Sequence, residues 1–139
     1  MKIVQINVKD SEGFVKTLEK AELTAGKGLL GDHHKEKPGR ALSMLDSKSA
    51  QQIALEPGLC TNRFIPNILL SEENGIDAGK QYKVGGAVIR ITQKGKRCFT
   101  ECPLFGEGKS CELSRNVLFA DVVMTGLIKK GDSLIETVE

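Results

Sequence analysis

Tryptophan is absent from this 139-residue chain, and one tyrosine and five phenylalanines are its only aromatic residues. The 40% hydrophobic residues nonetheless supply enough apolar surface to exclude a disordered chain. An excess of one charge sign is also missing: 20 basic residues face 18 acidic ones, a formal net charge of +2. The clustered basic surplus of a nucleic-acid binder is not there, which counts against nucleic acid as a partner. Long apolar runs are lacking as well. The most apolar stretch, Asn116 to Ile128, is cut by Asp121, and no uncharged run approaches the roughly 18 residues of a membrane helix. The opening Met1 to Asp10 alternates apolar and polar residues, where a signal peptide needs a continuous apolar segment. No membrane partner and a cytoplasmic location are the expectation. In that compartment Cys60, Cys98, Cys102 and Cys111 are thiols, metal ligands or redox groups, and not a disulfide scaffold.

What the chain does have is dense punctuation. Its 15 glycines bound short segments at Met1–Lys9, Arg40–Leu45, Arg63–Leu70, Ala87–Gln93 and Ser133–Val138. Several alternate with period two and are rich in β-branched residues, which predicts strands repeated often enough for a barrel or sandwich. Asp46 followed by Ser47 to Leu55 predicts one helix, capped by the aspartate and ended by Glu56-Pro57-Gly58. Ser114 to Val123 is ambiguous: its apolar spacing fits a helical face, but its β-branching favours a strand. Gly131-Asp132 predicts a hairpin turn before the closing run. No linker, repeat or low-complexity tract divides residues 1–139, so a single domain is expected.

Three of the four cysteines cluster as Cys98-x3-Cys102-x8-Cys111. Lys94, Lys96 and Arg97 precede Cys98, and nearby cations favour the nucleophilic thiolate; Glu101 beside Cys102 works against it. Inert buried thiols, a zinc or iron–sulfur site, and a reactive thiol with a second thiol nearby all stand open on spacing alone. A metal cage would need a fourth ligand from Cys60, His33 or His34. Gly26 to His34 forms a glycine-rich loop ending in Gly31-Asp32-His33-His34, without the Gly-Lys-Ser/Thr ending of a phosphate loop. Arg40 and Arg63 have a plain reading as surface charges. Yet Arg63 opens a markedly apolar run, and an Arg and Asn67 at strand ends suit an anionic ligand.

Taken in order, these pieces resemble the MOSC domain, the module named for the C-terminal part of molybdenum-cofactor sulfurase. Gly28 to His34 with Arg40 to Leu45 is similar to its opening motif, and Arg63-Phe64-Ile65-Pro66-Asn67 to its Arg-Phe-x-x-Asn strand. Ile91 to Cys98 is similar to the segment that delivers its cysteine, and Gly126 to Asp132 to its closing turn. The resemblance runs from about Leu23 onward.

That resemblance implies a mostly β fold, a closed β-barrel of MOSC type with one or two short helices. It also implies a sulfur-carrier or accessory protein of molybdenum-cofactor metabolism, with sulfurtransferase-like activity. Cys98 would carry persulfide or ligate molybdenum, and Cys102 or Cys111 would release the sulfur. Gly31, Asp32, His34, Arg40, Arg63 and Asn67 would line the molybdenum–pterin site. The expected partners are a cysteine desulfurase or a molybdoenzyme maturation protein, since no pyridoxal-phosphate domain is present to generate persulfide. Where short bacterial members often have Cys-His-x-x-Cys, this chain has Cys98-Phe99-Thr100-Glu101-Cys102. The alternatives are a non-catalytic pterin- or metal-binding module, and a barrel with a structural zinc cluster that includes Cys111.

Overall fold

A computed structural model of the chain describes residues 1–10, 12, 14–30, 32, 42–53, 66–72, 75–95 and 116–137. Where the opening segment alternates, it forms β1 (Ile3–Lys9), burying Ile3, Ile6 and Val8. The three-residue step from Ile3 to Ile6 breaks the period of two. A register shift between Ile3 and Gln5 absorbs it as a bulge, so both isoleucines face the core. The chain continues through β2 (Val15–Leu18), β3 (Lys20–Leu23), β4 (Leu42–Asp46) and α1 (Ser47–Ile53). After these come β5 (Ile68–Leu70), β6 (Gln81–Val84), β7 (Ala87–Lys94), β8 (Leu118–Met124), β9 (Gly126–Lys129) and β10 (Leu134–Glu136).

Eight strands form one sheet in the order β10-β6-β7-β8-β4-β5-β1-β2, and β3 pairs with β9 in a second. Neighbours are antiparallel except β4 and β5, which are parallel. A parallel pair needs a long crossover, and α1 lies in that connection. Asp46 caps the helix as its position predicts, accepting from the Ser49 N–H at 3.0 Å. One face of the large sheet and the small sheet share a largely aliphatic core that also takes in Tyr82. It includes Ile6, Leu23, Leu42, Met44, Ile68, Ile89, Ile91, Leu118 and Ile128.

The expected closed barrel is corrected to a curled, open sheet. Along β1, the β2 side is taken by β2 only from Ile6 to Lys9, which leaves its first residues to meet the end of the chain. They do so at one isolated bridge, Lys2 with Ser133, flanked by Ile3 N–H to Asp132 O at 2.8 Å and Leu134 N–H to Met1 O at 3.0 Å. β10 is three residues long and its ladder runs to β6, so no continuous ladder joins it to β1.

The ambiguous segment resolves as strand β8: Leu118, Ala120 and Val122 alternate into the core, and the helix alternative survives at Asn116 alone among its described residues. Gly131-Asp132 makes a turn, with the Asp132 N–H donating to Lys129 O at 3.0 Å, but not a hairpin. Its flanking strands belong to different sheets, β9 beside β3 and β10 beside β6. No helix among the described residues is long and apolar enough to cross a membrane.

Candidate functional site

Two residues expected to line a binding site, Asp32 and Asn67, are separated by 35 positions in sequence and meet directly: the Asn67 side-chain amide donates to Asp32 Oδ1 at 3.0 Å. Both are buried, Asp32 at 3% and Asn67 at 7% exposure. The loop residue Asp32 is therefore part of the interior, not an exposed polar group.

The strands explain how they come together. β3 runs into a turn in which the Lys27 N–H reaches Thr24 O at 2.9 Å, and the chain doubles back so that Leu29 bridges Leu23. A further turn, Asp32 N–H to Leu29 O at 3.1 Å, brings the carboxylate onto β1, where Oδ1 accepts from the Lys9 N–H at 2.9 Å. Asn67 stands at the entrance to β5. Ile6 pairs with Ile68 and Ile68 lies beside Met44, so the next rung across the sheet joins Asn7, Asn67 and Ser43. Asn7 also pairs with Thr17 on β2. Side chains on successive rungs point to opposite faces. Ile6, Ile68 and Met44 face the core, so Thr17, Asn7, Asn67 and Ser43 form a polar row on the other face.

That row is closely hydrogen-bonded. Asn67 Oδ1 accepts from the Ser43 N–H at 2.9 Å and from its hydroxyl at 3.2 Å, and Asn67 Nδ2 also donates to the Asn7 carbonyl at 3.2 Å. Carbonyl and carboxylate oxygens only accept, which fixes the orientation of this amide. The Asn7 amide donates to Pro66 O at 3.0 Å and Gln5 Oε1 at 3.1 Å, and accepts from the Thr17 hydroxyl at 2.9 Å. A hydrogen-bonded network whose centre (Asn7, Asn67 and Asp32) is buried rigidifies what it joins, here the end of the Asp32 turn and the start of β5. Asn7, Thr17 and Ser43 were not among the residues singled out from sequence. The available signal was an asparagine at the centre of a β-branched strand, a residue type depleted there.

The other expected site residues, Gly31, His34, Arg40, Arg63, Cys98, Cys102 and Cys111, lie outside the described residues, as do Cys60 and His33. Among the described residues, no three His, Cys, Asp or Glu side chains are grouped to hold a metal ion.

The profile of the MOSC domain matches residues 31–134, a stretch that spans Asp32, Asn67 and the cysteine cluster. No curated protein shows significant similarity to the chain. Among solved structures, the YuaD protein of Bacillus subtilis is similar with a TM-score of 0.64 and 16% identity, over 99% of this chain and 96% of that one. YiiM of Geobacillus stearothermophilus is similar with a TM-score of 0.61 and 18% identity, over 99% and 75%. YiiM of Escherichia coli gives 0.62 and 18%, over 100% and 71%. These likenesses are of fold.

Proposed function

The chain belongs to the MOSC domain family, which is associated with molybdenum-cofactor sulfurase-like proteins, and from that membership we propose that it is a sulfur carrier or accessory protein of molybdenum-cofactor metabolism. The observation that carries the reading is the family match over residues 31–134, a stretch that contains Asp32, Asn67 and Cys98. The hydrogen bond between Asp32 and Asn67 supports it, because two of the motifs then belong to one place in the fold.

In this reading Cys98 receives sulfane sulfur from a cysteine desulfurase and holds it as a persulfide. Cations at Lys94, Lys96 and Arg97 favour its thiolate. Attack of the Cys102 or Cys111 thiolate on Cys98 Sγ then forms a disulfide and breaks the persulfide bond. The outer sulfur leaves as hydrosulfide, so two thiols are oxidised as one sulfane sulfur is reduced. Arg40 and Arg63 would hold the phosphate of the molybdenum–pterin group, which when bound is the acceptor of that sulfur. The working location of such a carrier is the cytoplasm, beside its desulfurase.

Incubation with a cysteine desulfurase and cysteine is expected to add one sulfur, about 32 Da by mass spectrometry, removable by reductant. Cys98→Ser is expected to abolish the gain. An undiminished gain in that variant overturns the assignment to Cys98. Pterin binding by a chain that never takes up sulfur overturns the carrier role in favour of a binding module.

A further inference from the structure

The family profile begins at residue 31, yet the polar row around Asp32 and Asn67 is not complete within it. We propose that Asn7, on strand β1 ahead of the matched region, is a positioning residue of the candidate site, fixing the Asp32 turn and the entrance to β5 relative to each other. Whether the place so fixed serves a pterin rests on the function proposed above; the positioning itself does not.

Asn7 is 4% exposed. Its side chain uses both amide protons and its oxygen, on Pro66 O, Gln5 Oε1 and the Thr17 hydroxyl. Its backbone grips Asn67 twice: the Asn7 N–H donates to Asn67 O at 2.8 Å, and the Asn7 carbonyl accepts from Asn67 Nδ2 at 3.2 Å. Two residues further along the same strand, the Lys9 N–H holds Asp32 Oδ1 at 2.9 Å. One short piece of β1 thus carries the anchor points of both motifs. The bulge between Ile3 and Gln5 sets which residues of β1 face away from the core, and so places Asn7 in the polar row.

The bond to Pro66 O matters most. A proline has no N–H to tie it into the ladder, so its carbonyl is the group by which β1 holds this position. Pro66 lies three positions after Arg63. A hydrophobic or acidic side chain at position 7 leaves that carbonyl, itself an acceptor, without its donor. Asparagine suits the place because a single short side chain can donate twice and accept once.

The test compares the wild-type chain with Asn7→Thr, a strand-forming residue whose hydroxyl is too short for Pro66 O, and with the near-isosteric Asn7→Asp. Val84→Ala, a core change at another strand, serves as the control for lost stability. The first readout is hydrogen exchange of the Asn67 side-chain amide by NMR. Exchange about tenfold faster in both Asn7 variants, and within twofold of wild type in Val84→Ala, is expected. Unchanged exchange in the Asn7 variants overturns the proposal.

The second readout is binding of the molybdenum–pterin cofactor released anaerobically from a molybdoenzyme. About tenfold weaker binding by Asn7→Thr and little change in Val84→Ala is expected. If wild type binds and Asn7→Thr binds equally well, the role of Asn7 in the site is overturned. If wild type does not bind, the pterin reading falls, and the exchange readout still decides the positioning.

Discussion

Asn67 donates to the Asn7 carbonyl and the Asp32 carboxylate and accepts from the Ser43 N–H, so one side chain satisfies buried groups on three separate segments. Replacing it with leucine, close in size but without polar atoms, removes a hydrogen bond from each of these partners at once, although Asp32 Oδ1 keeps the Lys9 N–H. Each buried polar group left without a partner costs about 1–3 kcal/mol, and some of that is recovered by local relaxation. Asn67→Leu is therefore expected to lower stability by about 2–4 kcal/mol in urea unfolding, on the same cost per group. A loss below about 0.5 kcal/mol, the range of an indifferent surface change, would show that the row does not act as a unit. Asp32 and Asn67 were legible as candidates because their motifs are in the sequence. Their meeting was not legible, since 35 positions separate them and only strand register brings them together. Asn7 is not legible for a related reason: a lone polar residue in an alternating strand reads as a solvent-facing position, and its burial depends on what the rest of the chain lays over it.

At the level of strands, the tip of the β6–β7 hairpin lies against β9. Gly85 opens the two-residue turn with a φ of 56°, and the Gly86 N–H donates to Leu127 O at 2.9 Å. A Cβ on Gly126 would collide with the backbone of Gly86 and with the Ala87 nitrogen, at 2.5 Å from the latter. Backbone cannot move aside as a flexible side chain can. Gly126→Ala is expected to cost about 1–3 kcal/mol, as overpacking does, while an unchanged melting temperature would mean that the hairpin tip moves freely.

The small sheet holds an opposite opportunity. Lys20 on β3 sits directly across from Lys129 on β9, and both are exposed. Like charges facing across a ladder repel, so Lys20→Glu is expected to gain about 0.2–1 kcal/mol. The gain should shrink in salt; one that persists undiminished at high ionic strength would point to a cause other than charge.

Strands β1, β4, β5, β7 and β10 were legible from their alternation and turn signals. β2 and β3 were not, because Val15 to Leu23 is rich in Lys, Glu, Ala and Leu, which carry no strand preference of their own. Pairing with β1 and β9 makes these segments strands, and pairing is tertiary information.

For the molecule as a whole, the first strand is a structural member and not an appendage to the matched domain. β1 lies between β5 and β2 in the large sheet and contributes Ile3, Ile6 and Val8 to the core. A fragment that starts at residue 31, although it contains the family match, would leave β5 with an open edge. It would also lose the Lys9 N–H that Asp32 accepts and the Asn7 amide that Pro66 O accepts. Deleting residues 1–9 is expected to yield a chain that is unfolded by circular dichroism or aggregated in size-exclusion chromatography. A folded, monomeric product would refute this account of β1.

The isolated bridge between Lys2 and Ser133 joins residues far apart in sequence, so it is expected to form late in folding. Contacts between nearby residues, such as the β6–β7 hairpin, can form as soon as both strands exist. The seam at Lys2 and Ser133 closes the longest loop among the pairings of the described residues and gains few hydrogen bonds for doing so. During synthesis Lys2 is made long before Ser133, so its side of β1 is expected to stay open to other extended chains until β10 forms.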